Sequence, residues 1–164
     1  CLMTAQIANG GYKIYPKIIV DNENMEQPND KFIPLFEDAK NIRIVQDAMF
    51  GSTNEVMGTS YRSRINDPKY QFAGKTGTAQ VKKITERDRE LDLKTFEIPY
   101  EERDHALYIA FGPYKNPRYA LSVFVEHGGN GSTTAAPMAK KLFKLIIDRH
   151  SLRESINNKK YLEI

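Results

Sequence analysis

A chain of 164 residues has room for one domain with a core of reasonable size. Its 24 Lys and Arg against 21 Asp and Glu leave a formal charge of +3, and the two signs are interleaved along the chain. That pattern argues against the concentrated basic face of a nucleic-acid binder, so no nucleic-acid partner is expected. Apolar residues make up 40%, below the usual share, so either the loops are long and polar or part of the natural core lies elsewhere.

No run approaches the ~20 apolar residues of a membrane span, and no signal peptide is visible. The single cysteine, Cys1, excludes an intrachain disulfide. His105, His127 and His150 are far apart and lack ligand spacing, so they read as surface or strand-end residues, with no metal and no cofactor expected. The chain opens on Cys1 in apparent mid-helix, which leads us to expect a fragment.

Leu2 to Ala8 has helical character, and Gly10-Gly11 supplies a stop. Lys17 to Val20 is a short strand candidate, and Asp21 to Asp30 a polar loop. Ile42, Val45 and Met49 fall at helical spacing in a helix predicted over Ala39 to Phe50 and ended by Gly51. Tyr70 to Val81 reads as a strand interrupted by Gly74 and Gly77. Residues 82–104 carry dense mixed charge and read as a long solvated connector.

Ala106 to Phe111 and Tyr119 to Glu126 are two strands of a hairpin turning through Gly112 to Pro117. Leu107, Ile109 and Phe111 share one face, and Ala106, Tyr108 and Ala110 the other. Tyr108, Tyr114 and Tyr119 are read as hairpin packing. The run Gly128 to Thr133 reads as a strand-to-helix turn, with Ser132 or Thr133 near the N-cap. A helix follows to Arg149, with Met138, Leu142, Leu145 and Ile146 as its apolar stripe, Lys140, Lys141 and Lys144 toward water, and Pro137 in its first turn. Residues 151–164 form a polar tail expected to fray, leaving 1–150 as the structured part. The fold class is α+β: an antiparallel sheet flanked by helices.

Chemistry concentrates in Phe72-Ala73-Gly74-Lys75-Thr76-Gly77-Thr78-Ala79-Gln80. A phosphate loop would need glycine where Lys69 stands and a helix starting at the lysine, whereas Gly-Thr-Ala-Gln-Val starts a helix poorly. The K-T-G element of serine acyl-transfer enzymes fits better. On a strand at a sheet edge, Thr76 and Thr78 point to one side and can converge on a carboxylate. Gly77 removes a side chain so that a ligand backbone can approach and pair. Lys75, on the other side, is a fixed cation for that carboxylate.

With Ala5 to Gly11, the motif Lys75 to Gln80, His105 to Tyr114, and Val125 to Gly131 leading to Ala135-Ala136-Pro137, the chain resembles the class B penicillin-binding proteins over about 140 residues. Arg103-Asp104-His105 is similar to the penicillin-binding protein 2 branch. The resemblance implies the C-terminal part of a peptidoglycan D,D-transpeptidase domain that cross-links the wall during elongation. It implies stem peptides ending in D-Ala-D-Ala and β-lactams as ligands, bound by Lys75, Thr76, Gly77 and Thr78, with the Thr78 amide as half of an oxyanion hole. It further implies a periplasmic location with a membrane anchor outside this chain, a membrane glycan polymerase partner, and the remaining N-terminal part of its own domain as a partner. Following K-T-G directly, the connector 82–104 is also placed to line an entry route for the acyl acceptor.

The family's S-x-x-K is not found: no serine here has a lysine three residues on. Ser52-Thr53-Asn54 and Ser155-Ile156-Asn157 match S-x-N but sit where the family does not place that motif, so both read as chance matches. The chain alone is therefore expected to be inactive. Alternatives are a β-lactam sensor domain, a β-lactamase relative, and an independent small binding module.

Overall fold

The computed structural model describes residues 1–16, 33–83, 86 and 93–162, with side chains through residue 152. The strand expected at Lys17 to Val20 and the loop from Asp21 to Asp30 lie outside the described residues. Helix α1 (Leu2–Ala8) leads to α2 (Ala39–Asn54), then β1 (Ala73–Ala79), β2 (His105–Gly112), β3 (Tyr119–Val125) and α3 (Ala136–Leu162). The strands form one antiparallel sheet in the order β1-β2-β3. The predicted α+β class is what the structure has. No helix among the described residues is long and apolar enough to cross a membrane.

α1 ends because Asn9 turns the chain. Its Oδ1 accepts from the Gly11 and Tyr12 amides at 3.1 and 2.9 Å, and its amide donates to the Tyr12 carbonyl at 3.0 Å. Gly11 follows at φ +91°, a conformation costly for any side chain, and a Cβ there would lie 2.9 Å from Ile42. The Asn-Gly-Gly run is thus a seat for α2, which Gln46 fastens by donating to the Ile7 carbonyl at 2.6 Å.

Helix α2 does not stop at Gly51 as expected. It runs on to Asn54 because its last turn is held by tertiary bonds rather than by local propensity. Thr53 is buried against the sheet, and the Asn54 amide donates to the carbonyls of Phe50 and Phe72, both at 3.0 Å. Ile42 and Met49 are buried as predicted, whereas Val45, at the flank of that face, is exposed.

Both sheet faces are covered. On one, Phe72, Ala106, Tyr108 and Ala110 pack against Ala135, Ala136, Ala139, Phe143 and Ile147. Phe72 and Phe143 stack at 4.9 Å, each fully buried, a gain of about 1.5–3 kcal/mol per side chain. On the other, Ala73 and Phe111 meet Met49, Ile7 and Ala8.

The stripe expected on α3 is wrong. Met138, Leu142 and Leu145 are 45, 42 and 66% exposed, Ile146 is half-buried, and the inner row is Ala136, Ala139, Phe143 and Ile147. Tyr108 and Phe72 already fill the space above the sheet, so the helix approaches through alanines. Lys141 and Lys144 are exposed as expected, while Lys140 is half-buried. The N-cap is Asn130, with Ser132 and Thr133 close behind it as expected: its Oδ1 accepts from the Ser132 amide at 2.8 Å, opening a π-type turn over Gly131–Ala135. Pro137 lies in the first turn of α3, which continues past Arg149 through the polar tail to Leu162.

Tyr114 packs on Phe50 with ring centroids 4.2 Å apart and donates to Asp47 at 2.5 Å. Burial, with the Asp47 bond and charge adding to it, pushes its phenol up to about 12. An unfolded tyrosine loses its proton near pH 10, so between about pH 10 and 12 the folded state holds more protons and stability falls as pH rises. Tyr114→Phe should make that fall shallower, read as the urea midpoint at a series of pH values across this window.

Candidate active site

β1 forms one border of the sheet, with β2 on one flank and no strand on the other among the described residues. The register sets Thr76 opposite Tyr108 and Thr78 opposite Ala106, while Lys75 faces Ile109 and Gly77 faces Leu107. Directly opposed residues share a face, so the two threonines point toward α3 and Lys75 points toward α2. Lys75 and Thr78 are exposed, and Thr76 and Gly77 half-buried. The Lys75 ammonium donates to the Thr76 carbonyl at 2.8 Å and lines a cavity of about 690 Å³ with Ser52, Thr59, Ile44 and Ile109. A strand here rules out a phosphate loop, which needs a helix to begin at the lysine.

This border is held by groups that spacing along the chain does not reveal. The Tyr108 hydroxyl, fully buried, lies 2.9 Å from Thr53 Oγ1 and 3.0 Å from Ser60 Oγ. Burial raises its pKa, and the Ser60 and Thr53 bonds act in the opposite direction. A Cβ on Gly74 would come within 2.3 Å of that hydroxyl, so glycine is required where the strand crosses it. Beneath the motif, Gly131 is equally constrained. A Cβ there would lie 2.5 Å from the Leu107 carbonyl and 2.6 Å from that of Gly77. At the edge itself, Thr59 Oγ1 stands 3.3 Å from Thr76 Oγ1 and 3.1 Å from Ser52 Oγ. Thr59 and Ser60 escape sequence reasoning because a short polar run carries no periodic signal, and alternation places the Tyr108 ring but not the partners of its hydroxyl. The glycines at 74 and 131 were the visible hint.

The far end of β1 is clipped to the hairpin. Asp104 accepts from the Val81 amide at 3.1 Å, and Lys82 pairs with Glu102 at 2.5 Å. His105 Nδ1 accepts from the His127 amide at 2.9 Å, and their rings lie 4.8 Å apart, edge to face. The two are strand-end residues as expected, and no group of metal-holding side chains occurs among the described residues. The described parts of 82–104 are largely exposed, with a short 3-10 turn at Tyr100–Glu102.

A match to the penicillin binding protein transpeptidase domain covers residues 2–144. The chain belongs to the penicillin-binding transpeptidase family. It is similar to the peptidoglycan D,D-transpeptidase MrdA of Salmonella typhimurium, at 39% identity over 105 residues, 64% of this chain and 16% of the relative. The Haemophilus influenzae MrdA is 36% identical over 101 residues, 62% of this chain and 15% of the relative. Among solved structures, Pseudomonas aeruginosa PBP2 in complex with WCK 5153 superposes with a TM-score of 0.64 at 32% identity, over 87% of this chain and 28% of that one. Helicobacter pylori PBP2 in complex with MreC gives 0.57 at 30%, over 76% and 20%. The chain thus spans about a sixth of the length of the curated relatives it matches. These likenesses favour the synthase over the sensor and β-lactamase alternatives.

Of the two S-x-N strings, Ser52-Thr53-Asn54 lies at the end of α2. Thr53 and Asn54 are occupied in holding α2 to the sheet. The side chains of Ser155 to Asn157 lie outside the described residues. Two substitutions test the seat of β1. Gly74→Ala should cost about 1–3 kcal/mol of overpacking, read as a lowered denaturant midpoint. Gly131→Ala should displace the Gly77 carbonyl, read as amide shifts concentrated at Gly77 and Leu107 in NMR spectra.

Proposed function

We propose that this chain forms the K-T-G wall of a peptidoglycan D,D-transpeptidase of the penicillin-binding protein 2 type. The observation that carries the reading is that Lys75, Thr76, Gly77 and Thr78 lie on a sheet border with no further strand beside it among the described residues, next to an open cavity. An extended peptide can add to that border as a further strand, passing over Gly77 where no side chain intervenes. Its terminal carboxylate meets the hydroxyls of Thr76 and Thr78 with the Lys75 cation nearby. Ionised acceptors take hydrogen bonds roughly twice as strong as neutral ones, so the two hydroxyls hold the end of the peptide, and the Lys75 charge on the other face of the strand adds attraction through space.

The chemistry needs a serine that these residues do not supply. In the complete enzyme its oxygen attacks the carbonyl of the penultimate D-Ala, the bond to the terminal D-Ala breaks, and that residue leaves with the proton on its amine. An amine of a neighbouring strand then attacks the ester and returns the proton to the serine. The Thr78 amide supplies half of the oxyanion hole, a contribution of about 3–4 kcal/mol in enzymes where such a donor has been removed. The nucleophile's helices seat against α2, whose outer side presents Ile44 and Val45 beside Met57, 93% exposed. The rest of the domain is therefore the first partner. The working location is the periplasmic side of the cytoplasmic membrane, with an anchor and a membrane glycan polymerase partner outside these residues. A scaffold partner of the MreC kind is supported by the Helicobacter pylori complex.

Fluorescent penicillin gives the direct test. The isolated chain should show no labelled band after denaturation, whereas the complete enzyme should. Thr76→Val or Lys75→Met in the complete enzyme should lower the second-order acylation constant roughly 10- to 100-fold, the equivalent of one charge-assisted hydrogen bond. Labelling of the isolated chain, or unchanged acylation in both variants, would sink the proposal.

A further inference from the structure

We propose that Thr59 is a positioning residue that aims the Thr76 hydroxyl proton at the substrate carboxylate, within a chain of donors running Ser52 to Thr59 to Thr76. The inference rests on the reading of Thr76 as a carboxylate donor given above.

Three hydroxyls stand in line, with Ser52 Oγ 3.1 Å from Thr59 Oγ1 and Thr59 Oγ1 3.3 Å from Thr76 Oγ1. A hydroxyl has one proton to give and two lone pairs. When Thr76 gives its proton to a carboxylate, it has none for Thr59, so Thr59 must donate to Thr76. Thr59 then has none for Ser52, so Ser52 must donate to Thr59. A bound anion therefore selects one direction for the whole chain, and each bond polarises the next. Without the anion either direction satisfies the geometry.

The loop carrying Thr59 is fastened on both sides by bonds other than those of its hydroxyl. The Ser52 carbonyl accepts from both the amide and the hydroxyl of Ser60, each at 3.0 Å. Ser60 is fixed in turn by Tyr108 and Thr53. On the other side, Gly58 lies so close to the end of α2 that a Cβ would meet the Ser52 carbonyl at 2.4 Å, and its amide donates to Glu55 at 2.9 Å. Thr59 is held between these two anchors, exposed and next to the cavity of Lys75. Its side chain is thus placed by the fold to act on Thr76 rather than to support the fold.

The test compares a penicillin with its methyl ester on the complete enzyme, because only the acid offers the anion that orients the chain. Thr59→Val should weaken the pre-acylation complex with the acid roughly 2- to 10-fold, leaving the acylation step and the ester unchanged. Thr59→Ser should restore the acid, and Ser52→Ala, at the far end, should give a smaller loss with the same acid selectivity. Equal losses for acid and ester in Thr59→Val, or none, would overturn the proposal, as would failure of Thr59→Ser to recover. Thr76→Val separates the two levels. If it discriminates acid from ester while Thr59→Val does not, Thr59 alone is misassigned; if Thr76→Val does not discriminate, the carboxylate site itself is misassigned. Matching thermal midpoints for wild type, Thr59→Val and Thr59→Ser exclude a folding defect as the source of any loss.

Discussion

The Tyr108 hydroxyl, buried between Thr53 and Ser60, is the contact through which the end of α2, the loop after it and the sheet share one geometry. A phenol taken out of water must find partners or cost the structure about 1–3 kcal/mol. Tyr108 finds two, on elements some fifty residues away in sequence. Once that bond set forms, α2 cannot slide along β1, Gly74 must remain without a side chain, and the loop at Gly58 to Ser60 is pressed against the border strand. The geometry of the β1 border is therefore a consequence of a buried polar knot.

The two faces of β1 divide the work. Toward α3, Thr76 and Thr78 present neutral donors above a tightly filled core. Toward α2, Lys75 presents a charge over a cavity that stays open. Period-two alternation alone makes this separation, and the antiparallel pairing with β2 keeps it in register. Glycine serves two different ends nearby: admitting a phenol at Gly74, and letting a turn pass beneath the strand at Gly131.

Exposed apolar surface falls on two sides of the molecule. Ile44, Val45 and Met57 flank the Lys75 cavity, and Met138, Leu142 and Leu145 lie along the outside of α3. The first of these is the face on which the proposed nucleophile helices seat.

The sequence by itself determined the α+β class, the strand carrying Lys75 to Thr78, the hairpin and the family, because alternation, turn residues and motif spacing are local properties. It also separated the faces of β1 and β2, since side-chain direction follows from strand periodicity alone. Tertiary structure decided what local signals cannot reach. Gly51 reads as a helix stop, yet Asn54 and Thr53 find partners on the sheet that carry the helix onward. Met138, Leu142, Leu145 and Ile146 read as the buried stripe of α3, yet Ala136, Ala139, Phe143 and Ile147 take the inner row against Tyr108 and Phe72. Thr59 meets Thr76 across seventeen residues through the seating of a loop, and such a meeting depends on which volumes are filled and which polar atoms need partners, neither of which is written in the order of residues along a chain.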